Sequence, residues 1–476
     1  MNRGFRIQFN TAALTQLHSL NEPFAGSKAV DMTSRLWSSI DNDDSRDLDQ
    51  VEYAAQEPGG TRIYIGIADV DCYVPKGSAL DEEALQNTTS IYTGVVVFPM
   101  LPEELSTDRS SLNENQKRLA IVSEMLVSED GVVTESSVYP AIVQNKAQLT
   151  YEGVAAWIDK KTDGHATEAS QRTWQKIRTI PGLEEQIRLQ DKAADALRLR
   201  RHELGALTFQ NVELQPVMSA EGEVVDLHER RQNQASFIIE DFMIAANETT
   251  ATFLDRMQMP SIQRVVREPE RWNRIVELAA SLGGHLPSAP DSKRLEAFLQ
   301  QRRRVDPTHF PELSLSIIKL LGRGEYMVRR RGEDPTGHFG LAVPNYSHST
   351  APNRRYPDLT TQRLIKAAWY GQESPYSVAD LEAIAKRCTE MENEANKVER
   401  FVKKAAAASI LISQVGKVFE AVVTGASAKG TWVRLLHPPV EGKLLDPADV
   451  DVGHRMRVRL VRVSVERGFI DFETAS

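Results

Sequence analysis

The stretch Asp41-Asn-Asp-Asp-Ser-Arg-Asp47-Leu-Asp49-Gln50 limits the folds open to this chain more than any other feature, because it carries five carboxylates in nine positions. Carboxylates held so close repel one another, so a fold must either leave them in water or set a cation among them. Hard divalent ions prefer such oxygens, and Mg²⁺ usually takes one or two carboxylates together with water and substrate phosphates. The reading is a metal site that receives a phosphate-bearing ligand, weighed against a merely solvated acidic surface. A calcium loop of the EF-hand kind fits the count, with oxygens at Asp41, Asp43, Ser45, Asp47, Asp49 and Glu52. Its context fails: Arg46 stands where the sharp turn needs glycine, and the turn Glu57-Pro-Gly-Gly60 and the strand-like run Arg62–Ala68 follow where a helix should.

The rest of the composition narrows the class. A chain of 476 residues buries a large core and divides into two or three domains. No apolar run reaches membrane-spanning length, and the start Met1-Asn-Arg-Gly-Phe-Arg-Ile7 lacks a signal-peptide core. Cys72 and Cys388 are the only cysteines, which excludes a disulfide scaffold and a four-cysteine zinc site and fits a reducing cytoplasm. The net charge of −9 conceals an uneven spread: residues 401–476 carry eleven Lys and Arg against eight Asp and Glu, a local +3. Polyanion binding follows such patches rather than totals.

A short helix is expected around Ala12–His18, capped by Asn10, within an N-terminal segment (1–35) too small for its own core. Strand-like runs alternate with turns from residue 60 to 145, as in Ile63–Ala68, Gly94–Phe98 and Ala120–Val127, and helical spacing then dominates. Helices are expected over Glu184–His202, Ala235–Arg256 and Trp272–Leu282, the last stopped by Gly283-Gly284. A single long helix is expected over 378–413. After Gly416, short alternating strands at Lys417–Val423, Thr431–Leu435, Arg457–Val463 and Phe469–Phe472 suggest a small five-stranded barrel.

Taken in order, several motifs resemble the ribonuclease II family and its RNB catalytic domain. They are Asp31-Met-Thr-Ser-Arg-Leu-Trp-Ser-Ser-Ile-Asp41, Ile67-Ala-Asp-Val-Asp-Cys-Tyr-Val-Pro-Lys-Gly-Ser-Ala-Leu-Asp81, Phe98-Pro-Met-Leu-Pro-Glu-Glu-Leu-Ser106, Gly205-Ala-Leu-Thr-Phe209, Ile239-Glu-Asp-Phe-Met-Ile-Ala-Ala-Asn247 and Thr350-Ala-Pro-Asn-Arg-Arg-Tyr356. The resemblance implies an α+β protein: an RNB domain (36–372) with a mixed sheet surrounded by helices, a connecting helix (373–413) and an OB-fold RNA-binding barrel (414–476). It implies hydrolytic 3′-to-5′ degradation of RNA to 5′-mononucleotides by a cytoplasmic monomer that uses one or two Mg²⁺ ions, with Mn²⁺ as a substitute. The substrate is single-stranded RNA, with structured RNA as a further substrate, and no membrane partner is expected.

By the same resemblance, Asp41, Asp47 and Asp49 hold the metal with Gln50, and Arg354 lies across the scissile phosphate. The bland reading of Arg354 and Arg355 is an ion pair with Asp358 or surface solvation. Tyr92 and Phe209 would grip the last bases and Tyr151 would stack farther out, each with a core packing role as the alternative. Arg355 and Tyr356 of the arginine motif would also touch RNA. Glu240, in a largely apolar helix, would need a ribose or a basic neighbour. In the barrel, Phe419, Lys429, Trp432, Arg434, Arg455, Arg457 and Arg459 mix rings and cations as a strand-tracking groove does.

Three departures from the family pattern matter. Gln50 replaces the second of two paired aspartates, so the site has one negative charge fewer; a neighbour such as Asp43, Asp44 or Glu52 is the candidate to compensate. The alternative function is a catalytically impaired RNA-binding protein of the same fold. Asn396 stands near where the family has a helix glutamate, flanked by Glu394 and Glu399. About forty residues precede the acidic motif, too few for two cold-shock barrels, which leads to the expectation of a wider RNA entrance.

Overall fold

The computed structural model describes every residue except 1–3, 22, 24–27, 161–166, 211–212, 220–223, 231, 308, 428–429, 447–449, 451–453 and 476. The turn at Glu57-Pro-Gly-Gly60 forms as expected and organises the sheet. It joins β3 (Gln50–Glu57) to β4 (Gly60–Ala68), with Glu57 paired to Gly60. Gly60 has φ +153°, and a Cβ there would lie 2.0 Å from the carbonyl oxygen of Val127, so glycine is obligatory.

Around this hairpin lie β1 (Val30–Asp31), β2 (Trp37–Asp41), the short pair β5 (Ile91–Tyr92) and β6 (Val97–Phe98), β7 (Lys117–Val127) and the long β8 (Val133–Thr150). The main sheet runs β1-β8-β2-β3-β4-β7. The first part of β8 pairs antiparallel with β7 and its last residues pair parallel with β2, so the sheet curls back on itself. Strand β4 is buried on both faces, as its apolar run Ile63–Ile67 requires. Ile63, Ile65 and Ile67 face α5 (Leu183–Leu204) and α6 (Gln234–Arg256), each contributing roughly 1.5–3 kcal/mol of burial. Tyr64 and Ala68 lie in the other core, shared with α10 (Tyr356–Trp369) and α11 (Val378–Leu411).

Helix α1 (Thr11–Ser19) is capped by Asn10, whose side chain accepts from the amide of Ala13 at 2.8 Å, and buries Ala13 and Leu17 in this same core beside α2 (Ala79–Asn87). The N-terminal segment thus packs into the core of the sheet domain. Helices α3 (Tyr151–Ile158) and α4 (Glu168–Thr179) flank β8, while α7 (Trp272–Ser281), α8 (Ser292–Val305) and α9 (Phe310–Leu321) form a separate apolar cluster. Two-stranded pairs β9 (Glu213–Met218) with β10 (Val224–Arg230) and β11 (Ser261–Val265) with β12 (Glu325–Arg329) complete the domain.

The long helix starts where expected: Ser377 and Asp380 form a reciprocal capping box, and 34 residues follow. Its last turns, with Ala407, Ala408 and Leu411, close the core of a five-stranded barrel. The barrel consists of β13 (Val418–Ser427), β14 (Gly430–Leu435), β15 (Glu441–Leu444), β16 (Arg455–Ser464) and β17 (Phe469–Thr474), closed in the order β13-β14-β15-β17-β16. Strand β15 is the fifth strand, whose position the pattern does not reveal because four residues carry too little alternation to read. Arg434 of β14 pairs with Glu312 of α9 and ties the barrel to the helices of the larger domain. Among the described residues no helix is long and apolar enough to cross a membrane.

Candidate active site

The acidic stretch lies at one end of the curled sheet. Asp41 ends β2 and pairs with Thr150 at the end of β8, while Gln50 starts β3 opposite Ile67 of β4. The intervening loop sorts the five carboxylates. Asp43 turns outward to Arg172 at 2.8 Å, and Asp44 is exposed. Asp41 is half-buried and accepts from Ser45 Oγ and the Asn42 amide, both at 2.7 Å. Asp49 is 5% exposed, with its main-chain oxygen bonded to the Ala68 amide. Burial pushes the Asp49 carboxyl up to about 7, opposed by Arg354, raised further by Asp47 and lowered by a bond from Asn353. Burial also raises Asp41, its Ser45 and Asn42 bonds working against that rise, while Asp47 raises it further and Arg354 opposes. Three carboxylates and one guanidinium therefore share a single field.

Arg354 arrives from the segment before α10. Its Nε lies 3.4 Å from Asp49 Oδ2, and its side chain is 44% exposed. Asp358, buried in the first turn of α10, accepts from the Ala351 amide at 2.9 Å and from Arg355 Nη2 at 2.7 Å. The ion pair with Asp358 is thus made by Arg355, whereas Arg354 lies beside Asp49 and partly in water. Arg355 is mostly covered and holds the loop; burial and the pair with Asp358 explain why it does not reach outward. Tyr356 is likewise a core residue, 2% exposed, donating from its hydroxyl to Asp81 at 2.9 Å. The two expected RNA contacts are thus engaged inside the protein, Arg355 with Asp358 and Tyr356 with Asp81. Asn353, quoted within the motif but given no role, donates from Nδ2 to Asp49 Oδ1 at 3.1 Å and accepts from Ser110 Oγ at 2.7 Å.

Tyr92, on β5, is 38% exposed and donates from its hydroxyl to Asp47 Oδ2 at 3.2 Å. Burial and then the charge of Asp47 raise its phenol. An accessible ring beside the carboxylates is what base stacking requires.

The donor set suits a hard divalent ion in a particular way. Among the described residues no three His, Cys, Asp or Glu side chains converge on one ion position. Mg²⁺ usually takes only one or two carboxylates directly and completes its shell with phosphate and water, so a preformed group of three is not required of such a site. Gln50 donates from Nε2 to the Ile40 carbonyl at 3.4 Å, so its amide oxygen, the only atom of that group able to accept, points elsewhere. Glu52, next on the same side of β3, has both carboxylate oxygens buried without a hydrogen-bond partner among the described residues.

Residues 29–371 match the RNB domain model. The chain belongs to the RNB family. Residues 417–475 match the RNase II-type exonuclease C-terminal S1 domain. Ribonuclease R 2 of Lactococcus lactis subsp. lactis is 27% identical over 98% of this chain and 73% of its own length. Ribonuclease R of Escherichia coli is 29% identical over 94% of this chain and 57% of its own. The chain spans between 49% and 73% of the length of the curated relatives it matches. The apo structure of Mycoplasma genitalium RNase R shares the fold, with a TM-score of 0.86 at 23% identity, covering all of this chain and 76% of that one.

Within the RNB domain the remaining expected residues separate. Tyr151 begins α3, one residue beyond the Asp41–Thr150 pair, and packs partly against the α3–α6 core. Phe209 packs partly against the α7–α9 cluster, the core role weighed for it. Glu240 overturns the premise made for it: it faces solvent and accepts from Gln232 at 2.9 Å, so it needs no buried partner. The buried acid of α6 is its neighbour Asp241, paired with Arg198 and Arg201. Near Asn396, Glu392 rather than a flanking residue reaches Arg264 of β11. On the barrel, Arg455, Arg457 and Arg459 are exposed and alternate with covered residues, as their spacing requires. Trp432 and Arg434 are half-buried on β14, Phe419 packs partly against the barrel core, and Lys429 lies outside the described residues.

Proposed function

We propose that this protein is a hydrolytic 3′-to-5′ exoribonuclease that shortens RNA to 5′-mononucleotides with a divalent cation, acting as a cytoplasmic monomer. The observation that carries the reading is the meeting of Asp41, Asp47 and Asp49 with Arg354 at one end of the sheet, beside the accessible ring of Tyr92. Asp41, Asp47, Asp49 and the Gln50 oxygen would hold Mg²⁺, or Mn²⁺ in its place. When bound, the ion supplies neutralising charge and a water acidic enough to act at neutral pH. Arg354, half in water, turns its planar donors to the phosphate oxygens as their charge grows. Asn353 and Ser110 hold the Asp49 carboxylate in one orientation. Tyr92 stacks a terminal base, and the exposed arginines of β16 with Trp432 follow the upstream strand by charge and stacking.

The second reading, RNA binding without cleavage, rests on Gln50, which leaves the site one charge short. The fold itself accommodates that outcome, since yeast Ssd1, described as a pseudonuclease, shares it at a TM-score of 0.68 and 14% identity. Incubating a 5′-labelled single-stranded RNA with Mg²⁺, with and without chelator, separates the readings. Decay to a short 5′ fragment with release of 5′-monophosphates supports the nuclease, and Asp49→Asn should stop it while preserving affinity. Binding without decay refutes it.

A further inference from the structure

Toward the other end of β2 from Asp41 lies a cavity of about 710 Å³, a size that suits a small organic ligand. Arg35 on its rim precedes Asp41 by six residues, about 20 Å of extended chain, so the cavity is separate from the proposed cleavage site.

Strand register makes its wall aromatic. Tyr53 of β3 pairs with Tyr64 of β4, and Tyr64 pairs with Glu124 of β7, so these side chains stand in one row across three strands. The two rings are 5.7 Å apart between centroids. Tyr139 of β8 donates from its hydroxyl to Glu124 Oε2 at 2.6 Å, and its ring packs 5.7 Å from that of Trp369, which is 39% exposed. Arg35 lies over the wall, with its guanidinium carbon 5.2 Å from the Tyr53 ring centroid and 5.3 Å from that of Tyr64. Arg35 is exposed and has no hydrogen bond or ion pair among the described residues, so its N–H donors remain available to a ligand. Glu185 of α5, also on the rim, is likewise exposed and without a bond or ion pair among the described residues.

This set of groups selects a ligand class. Asp31, Glu124 and Glu185 would repel a polyphosphate, and Arg35 is the only cation in the lining. A flat, nearly neutral ring that stacks on guanidinium or phenol and gives N–H groups to a carboxylate fits all of them, and those are the properties of a nucleobase. We propose that this cavity is a nucleobase site, with Arg35 and Tyr53 stacking the ring and Glu185 accepting from its amino edge. Guanine fits best, because its ring N–H and exocyclic amine are adjacent and reach both oxygens of one carboxylate; uracil has no exocyclic amine. The base comes from a free mononucleotide, a source that rests on the proposed exonuclease activity, or from an RNA strand.

The test is isothermal titration of the full chain, in chelator, with 5′-GMP, 5′-UMP and a guanine-containing single-stranded RNA. Wild type should bind 5′-GMP more tightly than 5′-UMP. Arg35→Ala should weaken 5′-GMP about five- to 150-fold, the contribution of one stacked base. Arg35→Lys, which keeps the charge and loses the planar face, should lose nearly as much. Glu185→Gln should bring 5′-GMP to the level of 5′-UMP and leave 5′-UMP unchanged, while Tyr92→Ala, at the cleavage site, should leave 5′-GMP binding intact. Loss of RNA affinity in both Arg35 variants identifies a strand as the source of the base, and a loss confined to 5′-GMP identifies the free nucleotide. Full retention in Arg35→Lys marks a general charge effect and overturns the site. So does 5′-GMP and RNA binding indifferent to Arg35, or 5′-GMP binding abolished only by Tyr92→Ala. Every arm runs without metal, so a negative result overturns this site and leaves the exonuclease reading to the decay assay.

Discussion

Replacing Asn353 with leucine removes a hydrogen-bond donor from Asp49 and changes little else. The two side chains have the same branching and number of heavy atoms, and although leucine is the bulkier, no cavity opens at the buried position of Asn353. Ser110 loses an acceptor but has another, the Leu105 carbonyl at 2.8 Å. The cost therefore falls on Asp49 Oδ1, whose partner is Asn353 Nδ2 at 3.1 Å; the other oxygen keeps only the longer contact with Arg354. A hydrogen bond to a charged group contributes about 1.5–3 kcal/mol, which corresponds to roughly a 10- to 150-fold loss if the bond is needed in the transition state. Single-turnover decay of a 5′-labelled RNA at saturating Mg²⁺ should slow by that factor, while RNA affinity measured in chelator stays unchanged. Asn353→Asp should be worse, because it sets a second carboxylate against Asp49. If Asn353→Leu cleaves within about twofold of wild type, a factor well below that of a charged hydrogen bond, Asp49 is oriented by something else and the reasoning is wrong.

Three further outcomes are expected. Tyr92→Ala should weaken binding of the 3′ end by roughly 1–3 kcal/mol in a fluorescence titration, whereas Tyr92→Phe, which keeps the ring and loses the bond to Asp47, should bind nearly as wild type. Changing Arg455, Arg457 and Arg459 together to glutamine should lower the slope of log affinity against log salt by about 2, if each meets one phosphate of a single strand. Stability should decline in acid through His338, whose ring is held down to about 4 by burial and the charge of Arg264, and whose Nδ1 must be unprotonated to accept from the Leu341 amide at 3.1 Å. The unfolded chain takes up that proton near pH 6.5, so this stability is present above 6.5, falls as pH drops toward 4 and amounts to about 3 kcal/mol at most. Urea unfolding at pH 7 and 4.5 measures the decline, and His338→Asn, which keeps a cap acceptor, should flatten it.

The one-dimensional pattern was enough for the elements whose physics is local. Asn10 and Ser377 announce helix starts because a side-chain oxygen meets an amide three residues on. Gly59-Gly60 announces a turn because positive φ excludes other residues. Alternation in β16 settles that Arg455, Arg457 and Arg459 share an outer face. The acidic stretch announced a cation site through the mutual repulsion of its members, and order along the chain placed Arg354 with it.

Which side chains meet across hundreds of residues was decided only in three dimensions. The sequence has five neighbouring carboxylates, and the curl of the sheet turned Asp41, Asp47 and Asp49 inward while leaving Asp43 to Arg172 and Asp44 to water. Two consecutive arginines look alike in sequence, yet Asp358 claims Arg355 and Asp49 receives Arg354. Helical spacing made Glu240 seem buried, whereas the packing of α5 on α6 buried Asp241 instead. Asn353 acquires meaning only from what lies opposite it, the carboxylate of Asp49. Spacing fixes which residues share a face; the partner of that face, and so the charge each group must carry, is set by the fold.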